Sequence, residues 1–121
     1  MSSIKILHNP RCSKSRQTLA LIENAGIEPE IVLYLNDPPS EQCLEQLKTY
    51  LKIDSIRAIT RTKEALYKEL GLANETQEAA LIKAIHTHPK LLERPIVIKH
   101  SDAGIQACIG RPPENVLDLL P

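Results

Sequence analysis

Strand and helix signals alternate at the start of the chain, and this order constrains the fold more than any other feature. Ile4–Leu7 is a short run rich in β-branched residues that stops at Asn9-Pro10, which predicts a strand. Apolar residues at helical spacing follow from Ser13 to Ala25, and Gly26 suits the end of a helix. Glu30–Leu35 is mostly apolar and predicts a second strand, buried on both faces. A strand–helix–strand unit with a short return loop is normally parallel and right-handed.

The middle of the chain, about residues 40–92, shows helical patterns and no strand signal. Ser40, Asp54, Thr62 and Asn74 each precede an apolar run and predict the starts of helices. Pro89 predicts one further helical turn, because proline suits the first position of a helix. This part of the sequence is therefore predicted to be a helical insertion.

Strand signals return near the end of the chain. Pro95–Lys99 and Ile105–Ile109 predict a hairpin, and Pro112-Pro113 predicts the start of a last helix, with Val116, Leu117 and Leu120 available for packing. Placing this hairpin beside the first parallel pair predicts an α/β fold: a four-stranded mixed sheet flanked by helices. That is the thioredoxin-like arrangement with a helical insertion, although the pattern alone permits other α/β folds. Residues 1–121 are predicted to form one domain.

Composition and charge exclude several classes of function. The chain has 15 Lys+Arg and 15 Asp+Glu, so its net charge gives no bulk attraction to nucleic acid or to anionic membranes. It has no Phe or Trp and only three Tyr, which nearly excludes base stacking. The apolar run at the N-terminus is too short for a signal peptide or a membrane span. Three cysteines do not make a disulfide framework, so a reducing cytoplasm is the expected location.

The stretch HNPRCSKSRQTL places Cys12 at the turn between the first strand and the first helix. The unpaired amides and the dipole of a helix N-terminus favour a thiolate over a thiol at this position. Cys43 and Cys108 have no basic neighbours of this kind and fit small core residues better. Cys12 is therefore the candidate reactive cysteine. The remaining histidines show no spacing to cysteines or carboxylates that indicates a metal site: His86, His88 and His100.

Two cysteine motifs are possible interpretations of this stretch. A redox C-x-x-C site would need a second cysteine at position 15, where the chain has Ser15, so an external thiol must complete any redox cycle. Ser15 is either a hydrogen-bond donor to the thiolate or an ordinary serine of a first helical turn. A phosphatase C-x5-R loop would need arginine at position 18, where the chain has Thr18. The phosphatase interpretation is therefore disfavoured.

HNPRCSKSRQTL resembles the active-site signature of the ArsC family, the glutaredoxin-coupled arsenate reductases. Three further blocks resemble the same family in the same order: AITRTKEALYKELGL (58–72), LLERPIVIK (91–99) and GRPPENVLDLL (110–120). The resemblance covers essentially the whole chain and implies the thioredoxin-like fold.

The resemblance also implies roles for individual residues. Cys12 would be the nucleophile, His8 would help to keep it ionised, and Ser15 would hydrogen-bond it. Pro95 would match the cis-proline that lies beside the active thiol in thioredoxin-like folds. Three arginines would bind the oxygens of arsenate, since a planar guanidinium suits a tetrahedral oxyanion: Arg61, Arg94 and Arg111.

The partners implied by the resemblance are arsenate, glutathione as co-substrate and glutaredoxin. No bound cofactor, metal, nucleic acid or membrane is expected, and the protein is expected to be a monomer. Two alternatives stay open at this point. One is a glutathione-dependent thiol reductase of another substrate. The other is a redox-linked regulator that binds RNA polymerase, although such relatives carry the C-x-x-C pair that Ser15 removes here.

Overall fold

The computed structural model describes residues 3–120. Two compact units make up this part of the chain. The first unit comprises the residues up to Asp37 together with those from Arg94 onward, and the second comprises Pro38–Glu93. No helix within residues 3–120 is long and apolar enough to cross a membrane.

The first unit is built on a four-stranded mixed sheet. Its strands are β1 (Ser3–Leu7), β2 (Glu30–Val32), β3 (Ile96–Ser101) and β4 (Gly104–Ile109), in the spatial order β2-β1-β3-β4. β1 is parallel to β2 and antiparallel to β3, and β4 is antiparallel to β3. Helix α1 (Ser13–Asn24) connects β1 to β2. The predicted sheet, with the hairpin beside the parallel pair, is confirmed.

The core of this unit is aliphatic, as a chain without Phe or Trp requires. α1 and a 3-10 helix at Pro113–Asp118 pack against each other and against the sheet. Leu117, which was expected to pack, is exposed, and Leu119 is buried instead. The buried cluster at this interface is Ile4, Ile6, Ile22, Val97, Val116 and Leu119.

The prediction of a long, doubly buried strand at Glu30–Leu35 is wrong. β2 stops at Val32, and the chain then turns, with the amides of Asn36 and Asp37 donating to the Leu33 carbonyl at 2.9 and 3.0 Å. β2 lies at the edge of the sheet, so apolar residues of this stretch face outward: Leu33 and Leu35 are 42% and 41% exposed. An apolar run cannot by itself distinguish a central strand from an edge strand.

The second unit is helical, with α2 (Glu41–Leu51), α3 (Ala65–Glu69) and α4 (Glu78–Thr87). Three 3-10 turns lie between or after them, at Ile56–Ile59, Leu72–Asn74 and Pro89–Leu91. The turn at Pro89 confirms the prediction made from that proline.

Ser40 caps α2 as predicted, because its Oγ accepts the Cys43 amide at 3.0 Å. The other predicted caps are wrong. Ser55, rather than Asp54, accepts the Arg57 amide, and neither Thr62 nor Asn74 is the residue at which α3 or α4 begins. Glu78, the first residue of α4, accepts the hydroxyl of Ser55 at 2.8 Å and the amide of Ile56 at 2.7 Å, and these contacts join the start of α4 to the turn at Ile56–Ile59.

The end of β4 is packed closely against α1 and the start of β3. The Gly110 amide donates to the Pro95 carbonyl at 3.0 Å. Thr18 is fully buried in α1, and its Oγ1 lies 3.4 Å from the Gly110 carbonyl. A β-carbon at position 110 would lie 2.8 Å from Cγ of Pro95 and would overlap the Thr18 side chain. Only glycine fits here without movement of its neighbours.

Gly110→Ala should therefore destabilise the protein by about 1–3 kcal/mol, the usual cost of forcing an extra carbon into a packed site. The measurement is the free energy of unfolding from urea denaturation. Gln106→Ala is the control, since Gln106 is an exposed residue of the same strand and such changes usually stay within about 0.5 kcal/mol. Equal stability of Gly110→Ala and the wild type would contradict the close approach.

Candidate active site

The strand register assembles the site at the end of the sheet where β1 and β4 finish and β3 begins. Leu7, the last residue of β1, pairs with Ile96 at the start of β3, and Ile96 pairs with Ile109 at the end of β4. The loop after β1 carries Cys12, while Arg94 precedes β3 and Arg111 follows β4. Three segments that are distant in sequence therefore meet, because the strands next to them begin or finish at the same end of the sheet.

Cys12 occupies the N-cap position of α1. Its backbone is extended (φ −94°, ψ 123°), its carbonyl accepts the Arg16 amide at 3.0 Å, and its own amide donates to the Asn9 carbonyl at 3.0 Å. An N-cap side chain normally carries an oxygen that accepts the free amides of the first helical turn. In Cys12 the side-chain atom at this position is the sulfur.

The surroundings of Cys12 favour its ionised form. Burial raises the pKa of the Cys12 thiol, but hydrogen bonding from the Ser15 amide, the Arg94 guanidinium and the Lys14 amide outweighs burial and brings the pKa below its ordinary value. Each of these groups stabilises the charged sulfur and does not stabilise the thiol to the same degree. The thiolate, the reactive form of cysteine, is therefore a larger fraction of half-buried Cys12 at a given pH than of an ordinary cysteine.

The Ser15 hydroxyl bonds to His8. Ser15 is fully buried, its Oγ lies 2.7 Å from Nδ1 of His8, and it accepts the Asn9 amide at 3.0 Å. Burial and then the charge of Arg16 lower the pKa of His8, against a smaller raising effect of Glu23. His8 is therefore a neutral imidazole near pH 7. The backbone amide of Ser15 interacts with the sulfur of Cys12, while the Ser15 hydroxyl forms hydrogen bonds within the loop that carries Cys12.

Two of the three predicted arginines meet at the site. The Arg94 guanidinium interacts with Cys12, and its Nε is buried without a hydrogen-bond partner in the described part of the chain. Arg111 is exposed, and its Nη1 donates to the Arg94 carbonyl at 3.2 Å. The peptide bonds Arg94-Pro95 and Arg111-Pro112 are both cis. The isomer of Pro95 is thus the one that the resemblance implied.

Arg61 belongs to the second unit. Its amide donates to the Leu91 carbonyl at 2.6 Å, and its guanidinium forms ion pairs with Glu64 and, at 3.7 Å, with Glu93. Arg61 is thus already engaged by two carboxylates of its own unit. An anion bound by Arg61 would have to compete with them.

The other cysteines have different surroundings. Burial, and then the charge of Asp118, raise the pKa of Cys108 to about 11, so Cys108 stays a thiol at neutral pH. Cys43 lies in the capped first turn of α2. Nδ1 of His86 lies 2.8 Å from the Pro39 carbonyl, which suits a structural role. Within residues 3–120, no three His, Cys, Asp or Glu side chains cluster in a way that could hold a metal ion.

Asn9 and Arg16 shape the loop before Cys12 through contacts that the sequence predictions did not include. Oδ1 of Asn9 accepts the Arg11 amide at 3.0 Å, and Nη1 of Arg16 donates to the Pro10 carbonyl at 2.8 Å. The Asn-Pro pair was a sequence signal for the turn, because asparagine side chains commonly bond the backbone two residues ahead. No comparable signal marked Arg16, which reaches back from the helix.

Fold and site together define a thioredoxin-like protein with one cysteine, Cys12, whose pKa is lowered by its surroundings. Residues 7–119 match the ArsC family. The chain is 52% identical over 119 residues to a Haemophilus influenzae protein named arsenate reductase, covering 98% of this chain and 99% of that one. It is 52% identical over 118 residues to the uncharacterized protein YfgD of Escherichia coli K12, covering 97% and 96%.

A solved structure described as arsenate reductase from Vibrio cholerae superposes on this chain with a TM-score of 0.90. That protein is 50% identical to this one, and the match covers 98% of each chain. The chain therefore belongs to the ArsC family, and both the family and the fold predicted from the sequence are confirmed.

Alkylation kinetics should report the lowered pKa of Cys12. In a Cys43→Ser/Cys108→Ser background, the rate of reaction with iodoacetamide should rise with pH with a midpoint below that of a free cysteine. Arg94→Gln should move this midpoint upward, because it removes a positive charge beside the sulfur; each unit of pKa changes the thiolate fraction at low pH about tenfold. A midpoint that Arg94→Gln leaves unchanged would mean that the guanidinium does not stabilise the thiolate.

Ser15→Ala should destabilise the protein by about 1–3 kcal/mol, since it leaves buried polar groups of His8 and Asn9 without their partner. The free energy of unfolding at pH 7 is the measurement. Ser13→Ala is the matched control, because Ser13 is an exposed serine of the same helical turn. If both substitutions have the same small effect, the His8–Ser15 contact contributes little.

Proposed function

We propose that this protein is an arsenate reductase that converts arsenate to arsenite through an adduct with Cys12 and uses glutathione and glutaredoxin as reductants. The observation that carries the proposal is the position of Cys12, at the N-terminus of α1 beside the Arg94 guanidinium. The high identity to family members named arsenate reductase supports the choice of substrate.

Binding of arsenate would use the positive groups around the sulfur. Arsenate is a tetrahedral oxyanion, and guanidinium groups and free helix amides are the usual ligands of such anions. Arg94 has a buried Nε without a partner, and Arg111 is held next to it through the Arg94 carbonyl. We assign substrate binding to both, and to Arg61 on the strength of the family resemblance, with Glu64 and Glu93 as its partners before substrate binds.

The first chemical step would be attack of the Cys12 thiolate on arsenic. An As–S bond forms, an As–O bond breaks, and the departing hydroxyl takes a proton and leaves as water. The oxidation state of arsenic does not change in this step. Arg94 favours both the thiolate and the negative oxygens, so one residue lowers the cost of bringing two negative reactants together. His8 and Ser15 would keep the loop in the conformation that presents the sulfur.

The reduction would use two further thiols. Glutathione forms a second As–S bond as another hydroxyl leaves as water. A thiolate of glutaredoxin then attacks the glutathione sulfur; a disulfide forms, and the electron pair of that As–S bond stays on arsenic, which becomes trivalent. Water displaces Cys12 and releases arsenite. Ser15 supports this dependence on external thiols, since the chain has no cysteine at position 15 to form a local disulfide.

The remaining features of the proposal follow from this chemistry. The protein would work in the cytoplasm, where glutathione keeps thiols reduced. It would act as a monomer with no bound cofactor, because arsenate, glutathione and glutaredoxin supply every reacting group besides Cys12.

The test is conversion of arsenate to arsenite by the purified protein with glutathione and glutaredoxin supplied. Turnover is expected, and Cys12→Ser should abolish it because the nucleophile is lost. Cys43→Ser and Cys108→Ser serve as controls and should retain turnover. Activity of Cys12→Ser would exclude Cys12 as the nucleophile.

The arsenate assay, combined with an assay of mixed-disulfide reduction and a test of binding to RNA polymerase, separates the proposal from the alternatives. Reduction of a glutathione mixed disulfide without arsenate turnover would favour a thiol reductase of another substrate. Binding to RNA polymerase without arsenate turnover would favour a regulator. Arsenate turnover that needs no glutathione would contradict the proposed reductant while leaving the substrate in place.

A further inference from the structure

A cavity of about 320 Å³ lies beside the loop that leads into Cys12. One wall is formed by residues 8–11, and the other by Leu33, Leu35 and Asn36, in the turn after β2. All of these residues belong to the first unit. Arg94 and Arg111 are not among the lining residues, so the cavity is distinct from the proposed arsenate ligands.

The lining combines one cation, two amides and an apolar wall. Arg11 is exposed, and its side chain has no acidic partner among the ion pairs found in the described residues. Asn9 and Asn36 are the amide-bearing residues of the lining. Leu33 and Leu35 are 42% and 41% exposed. A concave site with apolar walls and a few polar groups is the usual form of a small-molecule site, and the volume is at the low end of the common range.

We propose that this cavity binds glutathione and delivers its thiol to the adduct on Cys12; this inference rests on the proposed function. A carboxylate of the tripeptide would pair with Arg11, its peptide groups would bond the amide of Asn36, and its methylene groups would lie on Leu33 and Leu35. Arg11 directly precedes Cys12, so their α-carbons are about 3.8 Å apart. Cys12 does not line the cavity, but an extended tripeptide spans about 10 Å, so the thiol of glutathione anchored at Arg11 would extend out of the cavity past this one-residue separation to meet the adduct.

The separation of binding groups has a chemical reason. Arsenate and glutathione are both anionic and must both approach one sulfur. Two different cations, Arg94 beside the sulfur for the oxyanion and Arg11 in the cavity lining for a carboxylate, would allow both to be bound at once without competing for one guanidinium. Leu33 and Leu35 can be exposed at this place because β2 ends at Val32 and lies at the sheet edge.

Binding of S-methylglutathione, which has no free thiol, tests the site without any turnover. In NMR titrations of the full chain, shift changes are expected in residues 8–11 and 33–36. Arg11→Gln should weaken binding about tenfold, the effect of losing a hydrogen bond to a charged group, and Leu33→Ser should weaken it several-fold. Lys83→Gln and Leu117→Ser are matched controls, since each removes an exposed cation or leucine that lies outside this cavity, and both should bind as the wild type does.

Kinetics distinguish failure of this inference from failure of the proposed function. In the arsenate assay, Arg11→Gln should raise the KM for glutathione about tenfold and leave the KM for arsenate unchanged. If arsenate is reduced and the KM for glutathione does not respond to Arg11→Gln, the cavity is not the glutathione site. If no arsenate is reduced but S-methylglutathione binds at residues 8–11 and the Arg11 variant weakens it, the substrate is wrong and the glutathione site stands. Absence of S-methylglutathione binding overturns the inference.

Discussion

The site depends on the stabilisation of one charged sulfur by the first turn of a helix and one guanidinium. The amides of Ser15 and Lys14, together with Arg94, oppose the effect of burial on the pKa of Cys12. Cys108 shows what happens without them, since burial and a nearby carboxylate raise its pKa to about 11. Two cysteines of the same chain therefore differ in pKa because of their neighbours. The loop before α1, the ends of the strands and the hydrogen bonds around Cys12 keep those neighbours in place.

The sheet register provides the geometry that this stabilisation needs. The pairs Leu7–Ile96 and Ile96–Ile109 align the end of β1, the start of β3 and the end of β4. The residues that flank these strands are consequently brought to one end of the sheet, where Cys12, Arg94 and Arg111 lie. Gly110 allows the closest approach there, because a side chain at that position would collide with Thr18 and Pro95.

The polar residues near Cys12 make different contacts and have different roles. The Ser15 amide acts on the sulfur, and its hydroxyl joins His8 and Asn9. Arg16 holds the Pro10 carbonyl and, with burial, keeps His8 neutral by lowering its pKa. On the proposed glutathione side, Arg11 would take a carboxylate. The basic residues of HNPRCSKSRQTL thus have separate roles: Arg16 acts on Pro10 and His8, and Arg11 lines the proposed glutathione cavity. They are clustered in this stretch although the net charge of the chain is zero.

The sequence alone determined the order of strands and helices, the four-stranded sheet, the family and the choice of Cys12 over Cys43 and Cys108. These depend on local signals, such as β-branched runs, Asn-Pro before a helix and Pro at helix starts, whose physical causes lie within a few residues. The edge position of β2 did not follow from its apolar sequence, and polar residues near the helix starts did not predict the cap at Ser55 or the start of α4 at Glu78.

Only the tertiary structure decided these points. β2 is an edge strand because no further strand within residues 3–120 pairs with its outer side, and the residue that caps a helical turn depends on how that turn packs against the rest of the protein. It likewise decided that the Ser15 hydroxyl bonds His8, through the packing of the segment between β1 and α1, and that Arg94 reaches Cys12, through the register of β1 and β3.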